Sequence, residues 1–176
     1  VSVFSFDPMK NMPSFGGGGM VLTDDKDVRD SVVSSRRHGV SGKDRYGYNS
    51  LIAEDHANQL LLLLKKFDSL QSKRAKVVKR YKKNLPDVRF VEARPNTVSS
   101  NHKLVVLVER RDELKAFLES KGIETKIHYA KLLDIHSQYP NAETLARTAL
   151  SLPVYPHLEM EEVDLICDKI KEFTNV

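Results

Sequence analysis

The sequence holds a single cysteine, Cys167, so no disulfide can form within the chain. With no oxidised framework to build on, a reducing, cytoplasmic setting is the expectation. Long hydrophobic runs are missing as well. The longest, Leu60–Leu64, stops at Lys65–Lys66, far short of the roughly 18 residues that a membrane-spanning helix needs, so no contact with a bilayer is expected. The histidines, His38, His56, His102, His128, His136 and His157, show no HExxH pattern and no close spacing. With only one thiol beside them, no metal site is expected. Internal repeats are lacking, and the glycines of positions 16–19 are the only low-complexity tract. Val1 is not a methionine, and Val1–Ser5 has no basic lead-in, no long apolar core and no small-residue cleavage site. That segment therefore reads as a strand already inside a fold, and the chain is expected to start in mid-protein.

What is present is an ordinary globular composition. Of 176 residues, 40% are hydrophobic and 30% charged, with eight glycines and seven prolines, which excludes disordered and fibrous classes. The length suits one domain or slightly more. The net charge of +4 comes from 28 Lys and Arg against 24 Asp and Glu. So mild an excess makes the placement of the charges more informative than their sum.

The chain is organised around Phe4-Ser-Phe-Asp-Pro-Met-Lys-Asn-Met-Pro-Ser-Phe-Gly-Gly-Gly-Gly19. Val1, Val3, Phe4 and Phe6 predict a buried strand that Pro8 stops, so the Lys10 amine emerges at a strand end, where a rigid sheet holds loops for chemistry. The four glycines allow either a close approach of backbone N–H groups to a ligand or a turn into a second strand, Met20–Thr23, and the turn is preferred. Asp24 and Asp25 predict the cap of a helix running to about Arg37, with His38–Gly39 ending it. Val40–Tyr48, with Lys43, Asp44 and Arg45, predicts an exposed or partner-clamped loop. From Ile52 to Asn84 there is no Gly or Pro, and the apolar spacing predicts one long helix, bent or straight, bridging two substructures. Strands are expected near Arg89–Val91, at Leu104–Val108 and in the alternating run Ile123–His128. Helices are expected at Asp112–Lys121 before Gly122, at Thr144–Leu150, and at Glu161–Phe173, the last burying Cys167. A domain boundary is placed near Ser50.

At Phe4-Ser5-Phe6-Asp7-Pro8-Met9-Lys10-Asn11 the chain resembles the DegT/DnrJ/EryC1/StrS family of sugar aminotransferases. The resemblance continues in order through Gly19-Met20-Val21-Leu22-Thr23, Arg37-His38-Gly39, and Tyr48-Asn49-Ser50 leading to Glu54 and Ala57. It then runs through Gly122-Ile123 to His128-Tyr129 and through Leu150-Ser151-Leu152-Pro153-Val154-Tyr155-Pro156. It implies an α/β fold-type-I enzyme dependent on pyridoxal 5'-phosphate. Residues 1–50 would be a strand-turn-strand remnant of the large cofactor domain, and residues 51–176 a small α+β C-terminal domain led by the long helix. The reaction implied is amino transfer, with glutamate as the expected donor, to a nucleotide-linked keto sugar. The assembly implied is a homodimer with shared active sites.

By position, Lys10 resembles the lysine that holds the cofactor as a Schiff base and shuttles the proton, a role that burial assists by lowering an amine's pKa. Ser5 matches a position whose hydroxyl contacts the cofactor phosphate. Asn49 matches an asparagine that reaches the phosphate from the neighbouring subunit, although its place also suits a helix N-cap. His128 and Tyr129 match a strand end near the sugar-nucleotide site. Two positions depart from the family pattern: Asp7 stands where His is common, and Leu51 where many members carry Arg. Lys rather than His at position 10 favours amino transfer over the family's dehydratase branch.

Two other readings stay open. One is a noncatalytic folded fragment serving as a structural or dimerisation module. The other is a nucleic-acid module using Lys73, Arg74, Lys76, Lys79, Arg80, Lys82 and Lys83. Those cations wrap around the helix rather than forming one stripe, so a solvated surface is preferred.

Overall fold

A computed structural model describes residues 1–40, 46–133 and 139–174 of the chain. The loop charges Lys43, Asp44 and Arg45, and His136, lie outside the described residues. Helices and strands are mixed throughout, and the chain divides into two compact units, Val1–Phe67 and Asp68–Val176.

In the first unit β1 (Ser2–Ser5) pairs antiparallel with β2 (Gly19–Leu22), in a register that sets Ser2 against Leu22 and Ser5 against Gly19. The strand expected at the start of the chain is there, but it is not buried: Val1, Val3 and Phe4 are exposed, and only Phe6 is enclosed. A two-stranded ribbon has two faces and no third layer of its own, so apolar side chains along it stay open. Helix α1 (Lys26–Ser35) begins where the Asp25 carboxylate accepts the N–H groups of Asp27 and Val28. It ends as expected, with His38 and Gly39 at positive φ turning the chain away.

The long helix is two helices, α2 (Glu54–Leu64) and α3 (Phe67–Asn84), with Lys65–Lys66 between them. The Lys66 N–H donates to the Leu63 carbonyl at 2.9 Å, an i→i+3 bond that closes the last turn of α2 without help from Gly or Pro. The buried residue of α2, Leu60, belongs to the first unit, whereas Val77 and Tyr81 of α3 belong to the second. Separate packing demands on the two halves account for an interruption that helical spacing does not reveal.

The second unit is a three-stranded antiparallel sheet in the order β3 (Arg89–Phe90), β4 (Leu104–Leu107), β5 (Ala149–Leu152). It is completed by α3, α4 (Arg111–Ser120), α5 (Pro140–Thr148) and α6 (Met160–Thr174). Its core gathers Val77 and Tyr81 of α3, Leu104 and Val106 of β4, Leu114 and Leu118 of α4, Leu150 and Leu152 of β5, and Val163, Ile166, Cys167 and Ile170 of α6. Each fully buried Leu or Ile contributes about 1.5–3 kcal/mol relative to exposure. Gly122 stops α4 in the manner its sequence predicts. At φ 78°, it donates to the Glu119 carbonyl while Ile123 N–H donates to Leu118, and Ile123 and Leu118 join the same core.

Two sequence expectations need correction here. Ala149 and Leu150 do not end a helix. They open β5, whose four residues are all buried, so pairing with β4 overrides helical propensity. The run Ile123–His128 forms a single bridge rather than a strand, with Lys126 and Ser151 exchanging backbone hydrogen bonds of 3.2 and 2.8 Å. In that register the next hydrogen-bonding partner of Glu124 is Pro153, which has no N–H to give.

Candidate functional site

The loop that carries Lys10 is built by its neighbours. Pro8 offers no N–H, and the Asp7 carboxylate accepts the Met9 N–H at 2.9 Å while the Asp7 carbonyl accepts the Lys10 N–H at 2.9 Å. Aspartate at position 7 thus shapes the turn through its own side chain. The base of the loop is stapled twice: Ser14 N–H donates to the Phe6 carbonyl at 2.9 Å, and Phe6 N–H donates to the Gly18 carbonyl at 2.8 Å. Ser14 is buried, and its hydroxyl donates to the Gly17 carbonyl at 2.5 Å. Lys10 is therefore displayed on a short, pinned excursion between β1 and β2. It is exposed, and its ammonium has no partner among the described residues. The Ser5 hydroxyl, on the same segment, accepts the Asp7 N–H at 3.4 Å, which leaves its own hydrogen free to donate.

Gly16 packs closely against α2, and Gly18 against Ile52 just before it. A Cβ on Gly16 would lie 2.5 Å from His56 Cε1, and one on Gly18 would lie 3.0 Å from Ile52 Cδ1. Gln59, one turn after His56, accepts the Phe15 N–H at 3.1 Å and donates to the Pro13 carbonyl at 3.5 Å. The Phe15 ring meets His56 edge-on, with centroids 6.4 Å apart. Sequence reasoning missed Gln59 and His56, since nothing in their spacing announces a loop partner more than 40 residues away.

Asn49 is held through its backbone. Tyr48 N–H donates to the Ser35 carbonyl at 2.9 Å, His38 N–H to the Tyr48 carbonyl at 3.3 Å, and Ser50 N–H to the Arg36 carbonyl at 3.1 Å, so that Arg37 and Asn49 form an antiparallel bridge. The N-cap of α2 is Ala53, not Asn49. The Asn49 side chain is exposed, and no hydrogen bond or ion pair joins it to Ser5 or Lys10 among the described residues.

In the second unit, His128 and Tyr129 follow the Lys126 bridge. The His128 Nδ1 lies 2.9 Å from the Ser151 hydroxyl, and its ring meets that of Tyr129 edge-on, with centroids 5.6 Å apart. Lys103 Nζ stands 5.7 Å from the centre of the Tyr129 ring. Burial first, then the cations Lys103 and Lys126, push the His128 pKa below its ordinary value. Ser151 went unassigned in the sequence, although a serine between Leu150 and Leu152 is the one polar residue of an otherwise apolar strand.

A cavity of about 720 Å³ opens at β3 between Leu85, Phe90, Leu107 and Leu145 and includes none of the sequence-predicted site residues. Much of the basic stretch of α3 is engaged within the unit. Arg80 forms a fork with Asp164 at 2.7 and 2.5 Å, Arg74 donates to the Val154 carbonyl at 2.9 Å, and Lys82 pairs with Glu92 at 2.5 Å. Among the described residues no group of three or more His, Cys, Asp or Glu has metal-holding geometry, and no helix is long and apolar enough to cross a membrane.

A loop that pins a lysine at a strand end is what the resemblance implies, and comparison with known proteins shows the family. The chain belongs to the DegT/DnrJ/EryC1/StrS aminotransferase family, whose sequence profile matches residues 1–171. It is 33% identical, over an alignment 189 positions long, to the dTDP-3-amino-3,4,6-trideoxy-alpha-D-glucose transaminase of Streptomyces venezuelae, with 98% of this chain and 50% of that protein covered. It is 30% identical to the GDP-perosamine synthase of Escherichia coli O157:H7, covering 98% and 51%. Among solved structures it superposes on S. venezuelae DesV, crystallised in complex with ketimine intermediate, with a TM-score of 0.91 at 32% identity over 99% of this chain and 51% of that one. A DegT DnrJ EryC1 StrS aminotransferase from Brucella abortus gives a TM-score of 0.87 at 31% identity, covering 97% and 50%. The α/β aminotransferase fold expected from the sequence is thus the fold found. The chain spans about half the length of the curated relatives it matches. Aminotransferases of this family use pyridoxal phosphate.

Proposed function

We propose that this chain is the C-terminal portion of a pyridoxal-phosphate-dependent nucleotide-sugar aminotransferase, which transfers an amino group from glutamate to a keto sugar carried on a nucleotide. The observation that carries the reading is Lys10, an amine without a partner among the described residues, on a loop stapled at Phe6, Ser14 and Gly18, in a chain that matches the family along its length. The donor set suits a phosphorylated aldehyde. Lys10 Nζ is a primary amine able to condense with the carbonyl, and the Ser5 hydroxyl has a hydrogen free for a phosphate oxygen. The Asn49 amide is a second phosphate donor, held steady by the Arg37 bridge, and it reaches the cofactor of a partner subunit in a homodimer.

When bound, pyridoxal phosphate supplies an electron sink for the carbon that loses its proton. The chain's own part is to move that proton. With the cofactor in place, Lys10 Nζ would take the proton from the donor's carbon and give it back, acting as base and then as acid. Lys10 is exposed in this chain, and in this reading further protein covers it in the working enzyme. The open apolar residues Val1, Val3, Phe4, Met20 and Leu22 on β1 and β2 support a cover of that kind. His128 and Tyr129 stand on the sugar-nucleotide side. In this reading residues 1–50 are part of the large cofactor domain, residues 51–176 form the small domain, and the enzyme works in the cytoplasm.

Turnover of a nucleotide keto sugar with glutamate by the full-length protein tests this. Lys10→Arg keeps the charge but replaces the primary amine with a guanidinium that stays protonated and cannot condense with the carbonyl, and it is expected to abolish turnover. Undiminished activity in that variant would overturn the assignment. The exposed ribbon also favours a second reading, that the 176-residue chain by itself is a noncatalytic module. Tight, Lys10-dependent binding of pyridoxal phosphate by the chain alone would remove that reading. Arg74, Arg80 and Lys82, three of the seven cations a nucleic-acid role would use, are engaged within the fold, which favours the aminotransferase reading over that one.

A further inference from the structure

Ser151 lies within β5, beside His128. It sits in β5 with Val105 of β4 opposite it on one side, and its backbone exchanges two hydrogen bonds with Lys126 on the other. It is 7% exposed, and among the described residues its hydroxyl has one partner, His128 Nδ1 at 2.9 Å. A histidine nitrogen either donates or accepts, and the partner decides which. If Nδ1 carried the hydrogen, it would donate to the Ser151 oxygen, and the serine's own hydrogen would be left inside the fold without an acceptor. If the serine donates, both groups are satisfied and the ring hydrogen moves to Nε2.

We propose that the Ser151 hydroxyl fixes His128 as the Nε2–H tautomer, so that the imidazole offers a neutral hydrogen-bond donor to an acceptor oxygen of the bound sugar nucleotide. Ser151 is a positioning residue, and His128 is the group that touches the ligand. The imidazolium form is opposed on each side. It would place a hydrogen on Nδ1 and orphan the serine, and it would stand near the cations Lys103, on the chain entering β4, and Lys126, on the bridging segment. Tyr129, edge-on to the ring, adds no charge to offset them. Nε2 already carries a hydrogen and Nδ1 is occupied, so His128 has no free lone pair with which to act as a general base. The ligand half of this inference rests on the substrate-side role proposed above; the tautomer does not.

Nitrogen NMR of the full-length protein labelled at histidine tests it, with His128 identified by its absence in His128→Gln. At neutral pH the His128 Nδ1 signal is expected in the acceptor range and Nε2 in the donor range. Ser151→Ala is expected to mix the tautomers and raise the His128 pKa, while Ser151→Thr restores the wild-type pattern. A hydrogen on Nδ1 in the wild type, or an unchanged spectrum in Ser151→Ala, would overturn the proposal, and the wild-type measurement stands even where the variants fail to fold. In turnover, Ser151→Ala is expected to raise KM for the sugar nucleotide roughly 3- to 10-fold with KM for the amino donor unchanged. No difference in KM would overturn the ligand half. Wild-type protein without any turnover would count against the aminotransferase reading and leave the tautomer result untouched.

Discussion

Gly47 leaves no room for a side chain over Ser35: a Cβ at Gly47 would lie 2.3 Å from the Ser35 carbonyl oxygen and 2.6 Å from the Gly39 backbone nitrogen. Both obstacles are backbone, so neither can swing aside. Gly47→Ala is expected to destabilise the first unit by about 1–3 kcal/mol, as overpacking does. It also loosens the bridge that holds Asn49 against Arg37. Urea unfolding measures the cost; a variant as stable as the wild type would mean that the turn relaxes freely.

Asp164 accepts the Arg80 fork at 2.7 and 2.5 Å and the Asn84 amide at 2.6 Å. The Arg80 hydrogen bond, more than any other group, holds its pKa below the ordinary carboxylate value. A depressed carboxylate pKa stabilises the fold above the unfolded value, and the contribution is lost as pH falls through the folded value. Asp164→Asn is therefore expected to lower stability at pH 7, and its deficit relative to wild type should shrink in acid below the ordinary carboxylate range. Unfolding curves at neutral and acid pH give the answer. A deficit independent of pH would show that the carboxylate's charge plays no part.

Cys167 is buried, and burial pushes its thiol up to about 11. At neutral pH it is protonated and out of reach, so thiol reagents are expected to leave the native protein unlabelled and to modify it on unfolding. Rapid labelling under native conditions would contradict its place on the core face of α6.

Legibility followed locality. The Asp25 cap, the reversal at His38–Gly39 and the stop at Gly122 are decided within a few residues, and the structure has all three as read. The loop bearing Lys10 was legible because Pro8 and the glycines flank it. What sequence alone did not reveal depends on distant partners. The interruption at Lys65–Lys66 falls where the chain passes from one unit to the other, and the conversion of Ala149–Leu152 into a strand reflects β4. The openness of Val1 and Val3 reflects a ribbon with no second layer in its unit. In the candidate site, Lys10, Ser5, Asn49, His128 and Tyr129 came from motif resemblance. Of their supports, Ser14 and Gln59 carry no motif and Ser151 lies in a matched stretch without a role assigned to it, because what places all three is a hydrogen bond across the fold.

The central claim is that Lys10 is the amine that holds the cofactor. Its most direct test is to incubate the full-length protein with pyridoxal phosphate, reduce the carbonyl adduct with borohydride, and map the modified peptide. The account predicts a pyridoxyl group on Lys10 that is absent from Lys10→Ala. A pyridoxyl group on another lysine, with Lys10 unmodified, would contradict it.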